Sequence, residues 1–536
     1  MKDNSGDSPL HVTCYKGHAD IVQLLLGNNA DVNIQNENSE TPLHYACGWG
    51  YMNIVQLLLA SDADVNITSA SGQAAVHYAC MHGHIDTTKF LLEKGARVDV
   101  KNDGGEAPLH IACEWGHADI VQELLARKAN IIARNNDDQT PLHIACKSGH
   151  TDIVQVLLEN KKDPAVMTTL IIQDKSSATP LHIACKLGYT DIVTLLATKE
   201  SIAEKNNAGQ TPLHIACELR YLDIVQALLL LASKASVIAK NNAGQTPLHI
   251  ACELCHLDIV TLLASKESVA EQNNAGQTPL HIACLKGHLD IVRTLLLLAS
   301  KASVTAKNSD GQTALHIACY NRRTEVVELL LANGAVFDMK NRNDDTPLHI
   351  ACKNGNTDVI KALLEKGTHG VDVTNNDGDT PLHIACLNDN MAVVKALLEK
   401  GARGVDVTNN DGDTPLHIAC FKGNTDVVKA LLEKGADVNI QNRDRDTVLN
   451  LACELRHSGI ARTLIDSGAN VNIKNRKRDT PLHLACRNGN TDIVQALLND
   501  GAYVNIKGCG GLSPLSIAFG INHNEIIQLL LKKLRK

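Results

Sequence analysis

Aromatic side chains are scarce in this chain. They make up 3% of its 536 residues, with two tryptophans, eight tyrosines and four phenylalanines, which is little for compact domains built around large central cores. No apolar run approaches the roughly 18 residues that a membrane-spanning helix needs; the longest lies around Ala227–Ala232. The opening residues, MKDNSGDSPLH, lack the apolar core of a signal peptide. A net charge of −8 offers no general attraction to a phosphate backbone. Walker, G-x-S-x-G, H-E-x-x-H and kinase signatures are all missing. Proline is confined rather than scarce: thirteen of the fourteen sit in one recurring slot, and only Pro164 departs from it. What the chain does have is 44% hydrophobic residues, ample for buried cores and contrary to wholesale disorder.

The proline slot belongs to a motif of the form TPLHIAC. Its first residue falls at Ser8, Thr41, Ala74, Ala107, Thr140, Thr179, Thr211, Thr246, Thr278, Thr313, Thr346, Thr380, Thr414, Thr447, Thr480 and Ser513. Sixteen copies, mostly 33 residues apart with one step of 39, replace the several domains that length alone suggests with a single array, in which each unit packs only on its neighbours. Repeats 1–5 occupy 1–159, followed by a longer inserted loop at 160–178. Repeats 6–10 then run over 179–345, repeats 11–15 over 346–512, and a C-terminal capping repeat over 513–536.

One unit, NRKRDTPLHLACRNGNTDIVQALLNDG at 475–501, shows the local logic. Thr480 supplies a helix-capping hydroxyl and Pro481 fills the first helical position, where a missing N–H costs nothing. Gly489 ends the first helix. Ile493, Val494, Leu497 and Leu498 form the apolar stripe of a second helix, which Gly501 stops. Asp377-Gly378 and Asp411-Gly412 mark hairpin-type turns between units. The period, the TPLH box, the G-[HN]-x-[DE]-[IV]-[IV] opening of the second helix and the GADVN ending resemble ankyrin repeats over the whole chain. The resemblance implies an all-α solenoid of stacked helix-turn-helix units with projecting β-hairpin turns, curved into a superhelical array with a concave groove. It also implies a protein-binding module without chemistry of its own.

Fourteen of the 24 histidines are the TPLH histidine, and fifteen of the 17 cysteines lie three residues after that position. Such a pair on one helix face suits a zinc or nucleophile site. The alternative is structural: a ring nitrogen bonds turn backbone and ties neighbouring repeats, while the cysteine acts as a small apolar residue. Stacked helices lie about 8–10 Å apart, whereas a disulfide needs Cα atoms within about 7 Å, so equivalent cysteines do not bridge. The spacing opposes a four-ligand metal site in the same way. The structural reading is adopted, with no catalytic residue, no metal and no cofactor. A ladder of free thiols also calls for a reducing compartment. Cys255 and Cys509 lie outside it.

Residues that vary between copies are where function is expected. The second residue after the motif cysteine reads Lys16, Trp49, His82 and Trp115 in the first four repeats, flanked by Tyr15, Met81 and Tyr51. Both tryptophans of the chain fall in this column, and Trp and Tyr are enriched at interface hot spots. These seven residues are the candidate partner-binding groove; the competing reading is that each tryptophan packs only on its own helix pair. The turns give a second candidate surface, acidic at Asp345, Asp377, Asp379, Asp411 and Asp413 and basic at Arg443, Arg445, Arg476 and Arg478. Such a switch would steer a charged partner, and duplicated solvated turns explain it equally well. LLLLASKAS, repeated at 228–236 and 295–303, also points to duplication.

The function expected is a non-catalytic scaffold or adaptor that recruits partner proteins through its concave face and turn tips. It is expected to be monomeric and cytoplasmic, with the nucleus as alternative location, to bind no nucleic acid unless through the basic tips of repeats 14 and 15, and not to insert directly into a membrane. The alternatives are a regulatory or substrate-targeting subunit of a phosphatase or ubiquitin ligase, and the cytosolic ankyrin fragment of a larger membrane or signalling protein. Departures from the motif mark soft points. Ala74-Ala75 loses a cap worth roughly 1 kcal/mol, Val448 and Asn450 replace proline and histidine, and Ser516 and Phe519 replace histidine and cysteine in the cap. Hydrogen exchange should therefore show local opening at repeats 3 and 14 and at the insertion before the middle of the array; uniform protection would contradict this.

Overall fold

The computed structural model describes residues 2–159, 163–367, 370–402 and 404–535. Helix pairs recur throughout, and the chain divides into two compact units, Met1–Asn273 with repeats 1–8 and Asn274–Lys536 with repeats 9–16. Within each unit, first helices pack on the first helices of neighbouring repeats and second helices on second helices. In repeat 15 these are Pro481–Arg487 and Thr491–Asn499. Leu482, Ala485 and Cys486 from the first and Ile493, Val494 and Leu497 from the second are all buried. Each large aliphatic side chain so buried contributes about 1.5–3 kcal/mol.

The motif's threonine and histidine form a relay. The Thr41 N–H donates to His44 Nδ1 at 2.9 Å, with Thr41 Oγ1 2.8 Å from the same nitrogen. A backbone N–H can only donate, so Nδ1 is the acceptor and the ring proton sits on Nε2. From there it donates to the Gln73 carbonyl of repeat 3 at 3.0 Å. The same bond runs from His11 to Glu40, His110 to Gln139, His214 to Gln245 and His383 to Asp413. Both ring nitrogens are thus committed, and the histidine ties repeats together instead of ligating metal. The motif cysteines are buried and free. Burial pushes the Cys14 and Cys80 thiols up to about 12, which leaves them as apolar filler without nucleophilic character. Cys255 proves to occupy the turn after a first helix in the left-handed conformation, φ 64°.

Two expectations need correction. First, no strands form among the described residues, only an isolated pair at Thr68 and Ala74, so the turns are not β-hairpins. The reason is an asparagine that the sequence reading passed over. Asn375 Oδ1 accepts the N–H groups of Asp377 and Asp379 at 3.0 Å each, and the Asn375 N–H donates to the Asp379 carbonyl. The side chain thereby supplies an acceptor that a paired strand would provide. Each turn then holds the next by a single backbone bond, as from the Asn410 N–H to the Asp377 carbonyl at 2.9 Å. Second, the insertion is not an open loop. Residues 160–162 lie outside the described residues, but Pro164–Thr169 is a helix that Asp163 caps through the Ala165 N–H at 2.8 Å. Val166, Thr169 and Leu170 are buried, so the extra residues pack inward.

At repeat 14 the relay is cut in half. Asn450 Oδ1 accepts from Thr447 N–H at 3.0 Å and from its hydroxyl at 2.6 Å, as a histidine Nδ1 does. Its Nδ2 is buried without an acceptor among the described residues, because the shorter side chain falls short of the next turn. Repeat 3 keeps more than expected, since the Ala74 N–H still donates to His77 Nδ1 at 3.0 Å.

Asn450→His should restore the missing bond and raise stability by about 1–2 kcal/mol, read as a higher urea midpoint; an unchanged or lower midpoint would contradict the relay. Acid tests the other histidines. Burial lowers their affinity for protons, to a pKa of about 4 at His143, His214, His281 and His316, against an unfolded value near 6.5. The unfolded chain therefore binds protons first. Stability is intact above pH ~6.5 and drains away as pH falls towards ~4, by up to about 3 kcal/mol per histidine. Thermal melts should fall steeply over that window; equal melting temperatures at its two ends would refute the neutral relay.

Candidate partner-binding face

The first three repeats gather aromatic rings at the C-terminal ends of their first helices, Pro9–Lys16, Pro42–Gly48 and Ala75–Met81. Tyr15 meets Trp49 edge-on with centroids 5.3 Å apart, and meets Tyr45 edge-on at 6.0 Å. Tyr78 lies 5.2 Å from the His44 ring. The Lys16 ammonium sits 4.9 Å over the Tyr15 ring, a cation–π contact. His44, Tyr45, Gly48, Trp49, Tyr78 and His82 together line a cleft of about 190 Å3. Trp49 nevertheless stays 51% exposed and Tyr15 41%. Edge-to-face contacts and the Lys16 cation hold these rings, while about half of each remains open to solvent.

The phenol ends are anchored by two acids from the turns. Tyr78 donates to Glu40 Oε1 at 2.7 Å, and Tyr45 donates to Asp7 Oδ1 at 3.5 Å. Asn36 Nδ2 reaches Asp7 at 2.8 Å, Glu40 at 3.2 Å and the Tyr45 hydroxyl at 3.2 Å. Burial alone would raise the Glu40 carboxyl, but the bonds from Tyr78, Asn36 and Tyr45 outweigh it and hold it below the usual carboxylate value. Burial pushes both phenols above their ordinary value. The tyrosines are thereby pinned neutral and the acid ionised. His82, lowered by partial burial and by neighbouring His84 and His117, presents a neutral ring at physiological pH.

The structure sorts the sequence candidates. Tyr15, Lys16, Trp49 and His82 come together in this patch. Met81 is half-buried, and its carbonyl accepts His117 Nε2 at 3.2 Å. Trp115 is 54% exposed but stands two repeats from Trp49, roughly 16–20 Å along the stack, so it is a separate anchor. Tyr51 does not belong with them. It precedes the second helix and its ring lies over Gly17 of the repeat before, where a Cβ would come within 2.8 Å of it. His84 and His117 occupy the same register over Gly50 and Gly83, so Tyr51 is an inter-repeat contact. Tyr45 and Tyr78 were missed. Their signal was available, since the residue after the motif histidine is aromatic only in repeats 2 and 3.

Among the turns, three acidic candidates are not tips. Asp345 is 4% exposed, and its Oδ1 accepts Asn375 Nδ2 at 2.9 Å. Asp379 and Asp413 accept Asn409 and Asn442 in the same way, also at 2.9 Å. These carboxylates bind the next repeat's turn asparagine and are unavailable as steering charges. Asp377 and Asp411 are exposed, as are Arg443, Arg445, Arg476 and Arg478. The Arg476 pairing with Asp444 at 3.8 Å is between side chains about three-quarters exposed and contributes little. The basic end of the proposed switch survives at the surface better than the acidic end.

Comparison with known proteins agrees with this architecture. A family model described as ankyrin repeats in three copies matches residues 1–69, 76–168, 163–240, 229–308, 296–373, 336–411, 367–442, 403–475 and 449–536, and a second ankyrin-repeat model matches 50–92. No curated protein matches the chain. Among solved structures it is similar to the ankyrin repeat domain of Bcl-3, described as a unique member of the IkappaB protein family. That match has 32% identity, covers 42% of this chain and 99% of that one, and has a TM-score of 0.38. Ankyrin repeats are in general protein–protein interaction modules, and no enzymatic family is indicated. With family matches running over nearly its whole length, the chain belongs to the ankyrin-repeat family.

Proposed function

We propose that the protein is a non-catalytic adaptor that recruits a partner protein through the aromatic cleft of repeats 1–3, with Trp115 as a second anchor. The observation that carries this reading is the Tyr15–Trp49–Tyr45 cluster beside Tyr78. Half of the chain's fourteen aromatic residues lie before position 116, and the cleft leaves ring faces uncovered where a monomeric fold gains nothing from exposing them. An apolar or aromatic side chain entering the cleft would bury those faces against rings whose orientation is already fixed, so little ordering cost opposes binding. The buried, high-pKa thiol ladder supports a reducing compartment such as the cytoplasm, and a monomer is the simplest state for such an adaptor.

Affinity capture from cell lysate, with retained proteins identified by mass spectrometry, should compare the native chain with Trp49→Ala, Trp115→Ala and the double variant. Both side chains are about half exposed, so each substitution should cost about 1 kcal/mol, mainly lost ring contact, and leave the fold intact. A partner held by the native chain should be bound about 30-fold more weakly by the double variant. A partner retained equally by all forms would overturn the assignment.

A further inference from the structure

Repeats 5 to 7 frame a second cleft, of about 520 Å3, in the same unit. Its rim carries Lys147 and Lys186, each the residue after its motif cysteine and each exposed. Its floor is apolar, from Ile183, Leu187 and Ile215. Leu187 is 41% exposed. The opening has a specific cause. In repeats 7 and 8 a turn glutamine crosses to the end of the first helix, Gln210 Nε2 to Glu218 at 2.9 Å and Gln245 Nε2 to Glu253 at 3.1 Å. At the same register repeat 6 has Ala178, too short to cross, and Lys186 faces it where the glutamate would stand.

The charge balance favours an anion. Neither lysine has a partner among the described residues. The one carboxylate lining the cleft, Asp174, is already engaged, its Oδ1 accepting from the Ser176 N–H at 2.8 Å, the Ser176 hydroxyl at 2.7 Å and the Ala178 N–H at 2.9 Å. His182 is neutral, with Nδ1 taken by Thr179 and Nε2 by the Gln210 carbonyl. A free phosphate or a nucleic acid would use the lysines and leave the apolar floor bare. We propose that this cleft takes an acidic segment of a partner protein, extended along the stack, with two carboxylates followed by a leucine-sized apolar side chain. Alternate residues of an extended chain share a face about 6.6–6.8 Å apart, and stacked helices lie about 8–10 Å apart; the flexible lysine stems cover the difference. Glutamates two residues apart therefore meet Lys147 and Lys186, and a leucine two further on reaches Leu187 and Ile215. The inference rests on the protein-binding reading but uses none of the aromatic cleft.

Fluorescence anisotropy on the full chain tests it, with a labelled short peptide containing Glu-Ser-Glu-Ser-Leu. Two control peptides carry lysine for glutamate and alanine for leucine. The glutamate peptide should bind, the lysine peptide should not, and the alanine peptide should bind about tenfold more weakly. Lys147→Glu/Lys186→Glu and, separately, Ala178→Gln should each weaken the glutamate peptide about tenfold or more. Each substitution installs a residue that neighbouring repeats already carry at that register, Glu114 or Glu218 and Gln139 or Gln210, so the fold is retained, with thermal melts as the check. Trp49→Ala/Trp115→Ala should leave this binding unchanged. No binding of the glutamate peptide, or binding indifferent to both cleft variants, overturns the inference and leaves the capture result standing. Loss with the tryptophan variant alone moves the peptide to the aromatic cleft and overturns it equally.

Discussion

Everything in this fold hangs on where one imidazole proton sits. In every repeat that carries the histidine, the backbone N–H that starts the first helix forces Nδ1 to be the acceptor, and that places the Nε2 proton where only the next repeat's carbonyl can take it. A helix cap is thus completed by its neighbour. Alone, a repeat would leave that donor to water; stacked, it buries the donor against a carbonyl and offers the same carbonyl to the repeat behind. Cooperativity in the array is built from this reciprocity as well as from apolar burial.

Three further columns serve the same purpose. The turn asparagine closes its own loop, and in several repeats its amide also reaches the preceding repeat's acid, as Asn375 does to Asp345. The motif cysteine fills the space between helices. The residue ahead of the second helix covers the preceding repeat: His84 Nε2 lies 3.1 Å from the Gly48 carbonyl, and Asn390 Nδ2 donates to the Gly355 carbonyl at 3.3 Å. With those columns spent on stacking, chemistry directed outward is left to the residue after the motif histidine, the two after the cysteine, the residue before the capping threonine and the exposed turn tips.

This division explains what the sequence made legible. The period, the capping threonine, the first-turn proline and the bridging histidine are local signals repeated many times, and each can be read from one unit. Asp345, Asp379 and Asp413 could not, because an acid in a turn looks solvated until its acceptor role toward an asparagine some 30 residues later is known. Tyr51 misled for a related reason. Its column holds tyrosine, histidine, asparagine and arginine, whose common property is reaching over the preceding repeat, and a tyrosine beside the tryptophan column reads as an interface residue. The helix at Pro164–Thr169 was hidden by the assumption that surplus residues bulge, although Asp163-Pro164 is an ordinary helix start.

The position of Ala178 shows how such a fold can change partners without changing itself. Its backbone carbonyl accepts the His143 Nε2 proton at 3.2 Å, so the scaffold requires the backbone there and places no demand on the side chain. The register can hold glutamate, glutamine, aspartate or alanine, and the choice alters either the groove wall or the link to the next turn. Glutamate in repeat 2 orients Tyr78, glutamine in repeats 7 and 8 bridges to the end of the first helix, and aspartate in repeats 11 to 13 locks neighbouring turns. Alanine in repeat 6 opens a cleft. Because main chain and side chain answer to different constraints at one residue, the variable surface is written on top of the relay, and a substitution at Ala178, whose side chain bonds no neighbouring turn, alters recognition at little cost to stacking.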